Sequence, residues 1–394
     1  MISRVDFDNY NKAVGDLVNE ASKATVDQIK AWVLLNPDAS IAEYREFAKE
    51  TMDGMCQVFG EAASSLAAEW YDVQMMTSGI TLSPAITEVT YSPEQIKKVA
   101  HYQAKKLLDD DIEGFADSCA EYVENNVKQS LNDTILSNAA RDKENGVRFA
   151  RVPTGAETCS FCYMLASRGA VYYSRKTAGE QNHYHRRCDC KIVPGFENDQ
   201  DAAVVEGYDP AGMRERMALL EDQTGLKFGY KADMSVLSQE MKLRNAKWLM
   251  DGTTPKFDVY ESEEAKAFKY QNKQSTEQHE KELRTADRIA KYGFDTTFVI
   301  DEIRDLKENR IIGLADLKSG LELKTLENAS SYNTIDGYIA QTGKKQNATA
   351  LIFDNYENDD LSDETLVEWI NESRRFRRGS IYILDHEGKI RKIR

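Results

Sequence analysis

The chain has 394 residues, 41% of them apolar and 30% charged, which is too long for one ordinary domain and predicts two or three. With 19 Tyr, 14 Phe and 4 Trp but only 22 Gly and 7 Pro it is neither disordered nor collagenous, and no apolar run approaches the ~20 residues that span a bilayer. A net charge of −15 argues against bulk nucleic-acid binding by the body of the protein.

Residues 5–150 read as helical. Between Ser40 and Met76, the positions Ile41, Tyr44, Ala48, Met52, Met55, Phe59, Ala63, Leu66, Trp70 and Val73 recur at helical spacing. A second helix opens at Ser92-Pro93-Glu94-Gln95, where Ser caps, Pro suits the first turn and Gln95 stands three residues after the cap. A third carries Ile112, Phe115, Cys119, Val123, Val127, Leu131 and Ile135. Amphipathic helices bury such stripes, so these are packing faces, and Cys56 and Cys119 are core thiols. Residues 151–196 break the rhythm, short helical pieces return over 213–220 and 234–248, and the polar stretch 251–278 reads as a linker. A helix over 279–292 then leads to a β-rich run through residue 327. A helix over 333–345, a strand in ATALIFDNY, a helix over 363–373 and a closing hairpin turning at Glu387-Gly388 complete an α/β unit.

Two shifts mark the boundary within 251–278. Residues 281–394 hold 19 basic and 21 acidic side chains, a net of −2 against −13 for the rest, and all seven prolines lie at or before Pro255. The last 21 residues carry eight basic and two acidic side chains, a basic edge able to meet phosphates. The opening residues lack the apolar core of a secretory signal.

Four of the six cysteines fall within 32 residues. Cys159 and Cys162 form a C-x2-C pair, and His185-x2-Cys188-x-Cys190 follows. C-x2-C lets two thiolates grip one tetrahedral ion, and a downstream His and Cys complete four ligands. Soft thiolates with imidazole select zinc. The expected set is Cys159, Cys162, His185 and Cys188, with Cys190 as the alternative fourth and His183 a weaker candidate. Such a site is structural, because protein ligands can fill every position. Disulfides or unrelated buried thiols are the competing reading.

The stretches GEAASSLAAEWYD (60–72), RVPTGAETCSFCYMLASRGAVYYS (151–174), HYHRRCDCKIVPGF (183–196) and VEGYDPAGM (205–213) resemble phage minor head proteins of the phage Mu F-like group, in the form found in phages of Gram-positive bacteria. The resemblance covers roughly residues 1–215. It implies a virion component that is associated with portal and head proteins, is packaged inside the head, and is often fused to a variable C-terminal effector.

The second informative stretch is GLADLKSGLELKTLE (313–327). If Lys318-Ser319-Gly320 is a three-residue loop, Leu317 pairs with Leu321 and Asp316 lies opposite Glu322. Lys324 is then on the same face, and Ala315, Leu317, Leu321 and Leu323 form the apolar one. Two close carboxylates repel unless a cation lies between them, and Mg²⁺ takes one or two carboxylates while keeping waters. The lysine can position or deprotonate an attacking water and stabilise charge on a phosphorane. A solvated strand face with an ordinary ion pair is the bland alternative.

The order helix, three strands, helix, strand resembles the core of PD-(D/E)xK nucleases, although Ala315 stands where the proline of that name would be. Residues 279–394 are also similar to nuclease domains of contact-dependent growth-inhibition toxins, through ELRTADRIAKYGFD (282–295), ADLKSGLELKT (315–325) and NTIDGYIAQTGKKQNATALIFD (333–354). The resemblance implies a metal-dependent nuclease with tRNA as a frequent substrate. By position it gives Asp316, Glu322 and Lys324 the catalytic roles and Glu282 that of an accessory carboxylate, while the carboxylate pair itself makes Asp316 and Glu322 the expected Mg²⁺ ligands. Lys344, Lys345, Arg374 and Arg375, with Arg377 and Arg378, are candidates for phosphate contacts, unless they only complement helix dipoles. Thr325 and Gln341 are within reach of such a site.

The expected architecture is therefore multidomain. A mainly α-helical head- and portal-associated region (1–150) carries a small zinc-stapled module (151–215), helical pieces and a linker follow (216–278), and a C-terminal α/β PD-(D/E)xK, restriction-endonuclease-like domain closes the chain (279–394). The expected function is a phage minor capsid protein whose nuclease acts on tRNA or other RNA in the host cytoplasm, with an immunity protein as a further partner. The alternatives are a purely structural head component with a DNA-binding C-terminal domain and a DNA nuclease of genome processing.

Overall fold

The computed structural model describes residues 1–154, 158–174, 176–178, 190–196, 199–229, 234–256, 260–305, 307–328 and 331–394. Contacts divide the chain into two compact units, one of residues 1–158 and 165–210, the other of 159–164 and 211–394. Residues 216–278, read from the sequence as helical pieces and a linker, belong to the second unit, as do residues 211–215 of the expected zinc module. No helix among the described residues is long and apolar enough to cross a membrane.

The first unit is built on α1 (Arg4–Leu35), α2 (Ile41–Thr77), α3 (Pro93–Gln103) and α4 (Ile112–Arg141). Ser40 and Glu43 close a capping box at the start of α2, and Ser92 Oγ accepts from Gln95 N at 3.3 Å to start α3. The buried face of α2 differs from the expected stripe. Val73 is 49% exposed, whereas Cys56, Gly60, Ser64, Ala67 and Tyr71 face inward. The reason is close approach. A Cβ on Gly60 would meet Val89 Cγ1 at 2.9 Å and Ser130 Oγ at 3.3 Å, so small side chains line the contact. A hydrophobic pattern weighs bulk and passes over them.

The segment that comes so close runs through residues 86–90 without forming helix or strand. Its main chain is held by side chains of α4. Ile86 N donates to Asn138 Oδ1 at 2.9 Å and Ile86 O accepts from Asn138 Nδ2 at 2.8 Å. Glu88 N donates to Thr134 Oγ1 and Thr90 N to Ser130 Oγ, both at 2.9 Å. The two periods match. Four helical residues rise about 6 Å, and two extended residues span about 6.6 Å. A polar ladder at i, i+4 can therefore serve alternate residues of an extended chain, which accounts for the burial of Ser130, Thr134 and Asn138 on a helix read as purely apolar. After α4, β1 (Arg148–Val152) leads to α5 (Ser160–Ala166), and β2 (Lys191–Gly195) pairs antiparallel with β1.

The second unit adds α6 (Pro210–Thr224, from Ala211 onward), α7 (Met234–Leu243), α8 (Ala246–Asp251), α9 (Glu263–Lys269) and α10 (Lys273–Ala290). The expected linker thus contains α9 and the start of α10. A hairpin of β3 (Glu302–Asp305) and β4 (Arg310–Gly313) precedes a four-stranded mixed sheet in the order β5 (Leu321–Thr325), β6 (Ala350–Asp354), β7 (Ser380–Leu384), β8 (Ile390–Lys392). β5, β6 and β7 are parallel, and β8 is antiparallel to β7. The parallel steps need crossovers, supplied by α11 (Tyr332–Thr342) and α12 (Asp363–Glu372).

Strand alternation divides the apolar residues between two faces. Leu321, Leu323, Ile352 and Tyr382 pack with Ala286 and Ile289 of α10. Leu351, Phe353, Ile381 and Ile383 pack with Ile335 and Ile339 of α11 and Leu366 and Ile370 of α12. α10 is pinned at the sheet's end, where the buried Asp354 accepts from Thr285 Oγ1 and Arg288 Nη1, each at 2.7 Å. α7 is tied in by the fully buried Arg244, which donates to Gln223 Oε1 at 2.7 Å and to Tyr292 O at 2.8 Å.

Candidate active site

The site begins at the turn before β5. Leu317 N donates to Leu321 O at 3.1 Å, and Gly320 N to Leu317 O at 2.9 Å. Gly320 takes φ +85, and a Cβ there would collide with the Asn347 carbonyl oxygen. Only glycine satisfies both conditions. Gly320→Ala is expected to cost about 2 kcal/mol or more and to lower the midpoint of the second unit's unfolding transition.

The turn forms, but the expected hairpin does not continue through it. Leu317 bridges antiparallel to Phe298 instead, and Asp316 does not lie as a strand partner opposite Glu322. β5 is the edge of its sheet, so the outward Leu323 N–H lacks a strand partner. Asp316 Oδ2 accepts that hydrogen at 2.8 Å. The carboxylate is thus fixed by main chain, and Asp316 is 1% exposed. Glu322 lies on the face of β5 opposite Leu321 and Leu323 and is wholly buried.

Three lysines neutralise this buried pair. Lys324 Nζ lies 2.6 Å from Glu322 Oε1, and Lys345 Nζ lies 2.6 Å from Glu322 Oε2 and 3.8 Å from Asp316 Oδ1. Lys269, from α9, lies 3.4 Å from Asp316 Oδ1 and 3.2 Å from both Glu282 Oε2 and Asp301 Oδ2. Glu282 also accepts from Gln278 Nε2 at 3.2 Å and faces His279 Nδ1 at 3.3 Å.

Burial alone would push the Asp316 carboxyl up, but Lys269, Lys345 and Lys324 outweigh it and hold the group below its ordinary range. For Glu322 burial dominates, joined by repulsion from Asp316, so its pKa is raised although Lys324 and Lys345 oppose this. Burial disfavours the charged form of Lys324, yet Asp316 and Glu322 overcome it and hold its pKa above the usual lysine value. Lys324 therefore keeps its proton. Positioning and charge stabilisation are the roles that a protonated Lys324 fits.

The remaining predicted residues are distributed as follows. Lys345 belongs to the carboxylate cluster rather than to an open phosphate surface. Lys344 lines a groove of about 350 Å³ with Arg310 and Arg378. Arg374 lines a separate cavity with Arg377 and Arg394, and Arg375 is paired with Asp336 at 2.8 Å. Thr325 Oγ1 donates to Lys281 O at 3.1 Å, and Gln341 is exposed. Lys269 and Asp301 escape sequence reasoning. Lys269 lies in a polar stretch with no periodicity, and Asp301 merely follows the apolar run Phe298-Val299-Ile300.

Of the zinc candidates, His183, His185 and Cys188 lie outside the described residues. Cys159 and Cys162 belong to the second unit, where Cys162 N donates to Cys159 Sγ at 3.3 Å. Cys190 belongs to the first, where its Sγ accepts from Arg151 Nη2 at 2.7 Å. Among the described residues, no three His, Cys, Asp or Glu side chains are arranged to hold a metal ion as they stand. The donor chemistry nonetheless suits Mg²⁺. Asp316, Glu282 and Asp301 each place a hard carboxylate oxygen within 3.4 Å of one cationic nitrogen.

A family model described as VG15 protein matches residues 1–219. No curated protein and no solved structure matches the chain.

Proposed function

This chain belongs to the VG15 protein family of phage-associated proteins, and we propose that it is a minor head component carrying a Mg²⁺-dependent nuclease. The observation that carries the nuclease is the burial of Asp316 and Glu322 side by side among Lys269, Lys324 and Lys345. A structural domain gains little from such a cluster, since taking charges out of water costs several kcal/mol per ion. In this reading, residues 1–215 are the Mu F-like part, which docks with portal and head proteins. The C-terminal region is a PD-(D/E)xK-type domain that acts after delivery from the virion into the host cytoplasm. An immunity protein then guards the producer. The zinc staple at residues 159–190 rests on Cys/His spacing alone.

Asp316 would hold the Mg²⁺ together with Glu282 and Asp301, whose oxygens converge with its own on Lys269, and with Glu322, its partner by resemblance, on the neighbouring side. When bound, the ion supplies Lewis-acid polarisation of a phosphoryl oxygen and acidifies a water. The chain's own groups do the rest. Leu323 N–H fixes Asp316, and Lys345 fixes Glu322 by its second oxygen. The Lys324 ammonium stabilises charge growing on the phosphorane. Lys344, Arg310 and Arg378 offer the strand's phosphates a cationic groove, with tRNA as the favoured substrate.

The test mixes the full chain with bacterial tRNA and with plasmid DNA, each with Mg²⁺ or EDTA. Cutting of tRNA alone, abolished by EDTA, is the expected result. Cutting of DNA alone moves the function to genome processing, and no cutting of either leaves a structural head protein.

A further inference from the structure

We propose that Lys269 is a tethered stand-in for the divalent cation, so that α9 holds the nuclease shut until the metal displaces it. The inference rests on the metal-dependent reading above and adds its regulation. Lys269 is the last residue of a seven-residue helix, yet its side chain is only 5% exposed and its ammonium lies within 3.4 Å of three carboxylates. Two of these, Glu282 and Asp316, are themselves almost fully buried. Asp301 keeps its other oxygen, Oδ1, buried without a hydrogen-bond partner, a lone-pair site that an ammonium with three protons leaves unserved.

The charges favour exchange. Asp316, Glu322, Glu282 and Asp301 bring four negative charges, and Lys269, Lys324 and Lys345 bring three positive ones. Withdrawing Lys269 leaves a deficit of two, which one divalent ion fills. The apolar anchorage of α9 is slight, so the cost of withdrawal lies in the three ion pairs of Lys269, which the incoming cation replaces. The buried residues of α9 are Ala265 and Lys269 alone. Beyond them, the segment is held by Glu261 Oε1 on His279 Nε2 at 2.5 Å and by the Tyr270 ring edge-on to His279. Little buried apolar surface therefore opposes opening once those charges are exchanged.

The experiment uses the full chain. Mn²⁺ binding is measured calorimetrically for wild type and Lys269→Met, which keeps the stem and removes the charge. If the plug is withdrawn in one molecule in ten or fewer, the variant binds about tenfold or more tightly. The Mg²⁺ concentration that half-activates cleavage falls by the same factor. In the wild type, amine acetylation read by mass spectrometry reports Lys269 directly and covers the case of a variant that does not fold. Its labelling at Lys269 rises severalfold on adding Mg²⁺. A folded variant that binds Mn²⁺ no more tightly overturns the proposal. So does a wild type that cuts while Lys269 stays as protected with Mg²⁺ as without. If neither protein binds Mn²⁺ and neither cuts, the metal-dependent reading falls and takes this inference with it.

Discussion

Lys324→Met will lower the cleavage rate of the full chain by about 10²–10³-fold, the loss typical of removing one group aimed at developing charge. The side chain has the geometry for that role. It shares Glu322 with Lys345, lies 5.8 Å from the Tyr338 ring, and is held charged by the two carboxylates against the penalty of burial. Methionine preserves the stem packed in that setting, and Lys345 still neutralises Glu322. The fold therefore survives, and the fall appears in kcat rather than KM. Lys344→Ala, an exposed change outside the cluster, is the matched control and is expected to weaken binding instead. Single-turnover cleavage of both variants at saturating Mg²⁺ separates the two effects. A Lys324→Met enzyme with wild-type kcat would remove the lysine from the mechanism.

Asp316→Ala will destabilise the second unit by about 3–5 kcal/mol, because breaking a buried ion pair strands the partner charge. The variant leaves Lys269 with Glu282 and Asp301 only, takes a counter-charge from Lys345, and orphans the edge N–H of Leu323. The effect has a pH signature of fixed sign. The Asp316 carboxyl is held below its ordinary value of 3.8, so its stabilisation is complete above that pH and fades as the pH falls through and below it. The gap in unfolding temperature between wild type and variant, followed by calorimetry, will be widest near neutrality and close in acid. A gap independent of pH would mean that packing, rather than charge, does the work of Asp316.

Much of the second unit is legible in the chain because its signals are local. The turn at Glu387-Gly388, the apolar strand in ATALIFDNY and the grouping of Asp316, Glu322 and Lys324 all lie within a few residues of what they specify. Gly388 indeed takes φ +74, and its N–H donates to Asp385 O at 2.9 Å. What escapes is specified across distance. Lys269 meets carboxylates 13, 32 and 47 residues away, and Lys345 reaches back 23 residues to Glu322. An ion pair between distant positions leaves no period and no motif. It becomes visible only when burial makes a counter-charge obligatory. The strand partner expected for Asp316 fails for a related reason. Alternation assigns a face but cannot say whether an edge N–H will claim the carboxylate first.

The ladder of Ser130, Thr134 and Asn138 has an evolutionary consequence. Those side chains grip amides and carbonyls, which every residue but proline supplies alike. Identity is thus written mostly on the helix, while residues 86 and 90 are held by main chain. Related chains can let residues 86 and 90 drift among non-proline types and still keep the same path, provided that the three rungs and the glycine at position 60 stay put, whereas Glu88 also accepts from Ser137 Oγ through its carboxylate. The informative columns of this unit's sequence record are therefore its small and hydroxylated helical positions, not positions 86 and 90 of the chain that they hold.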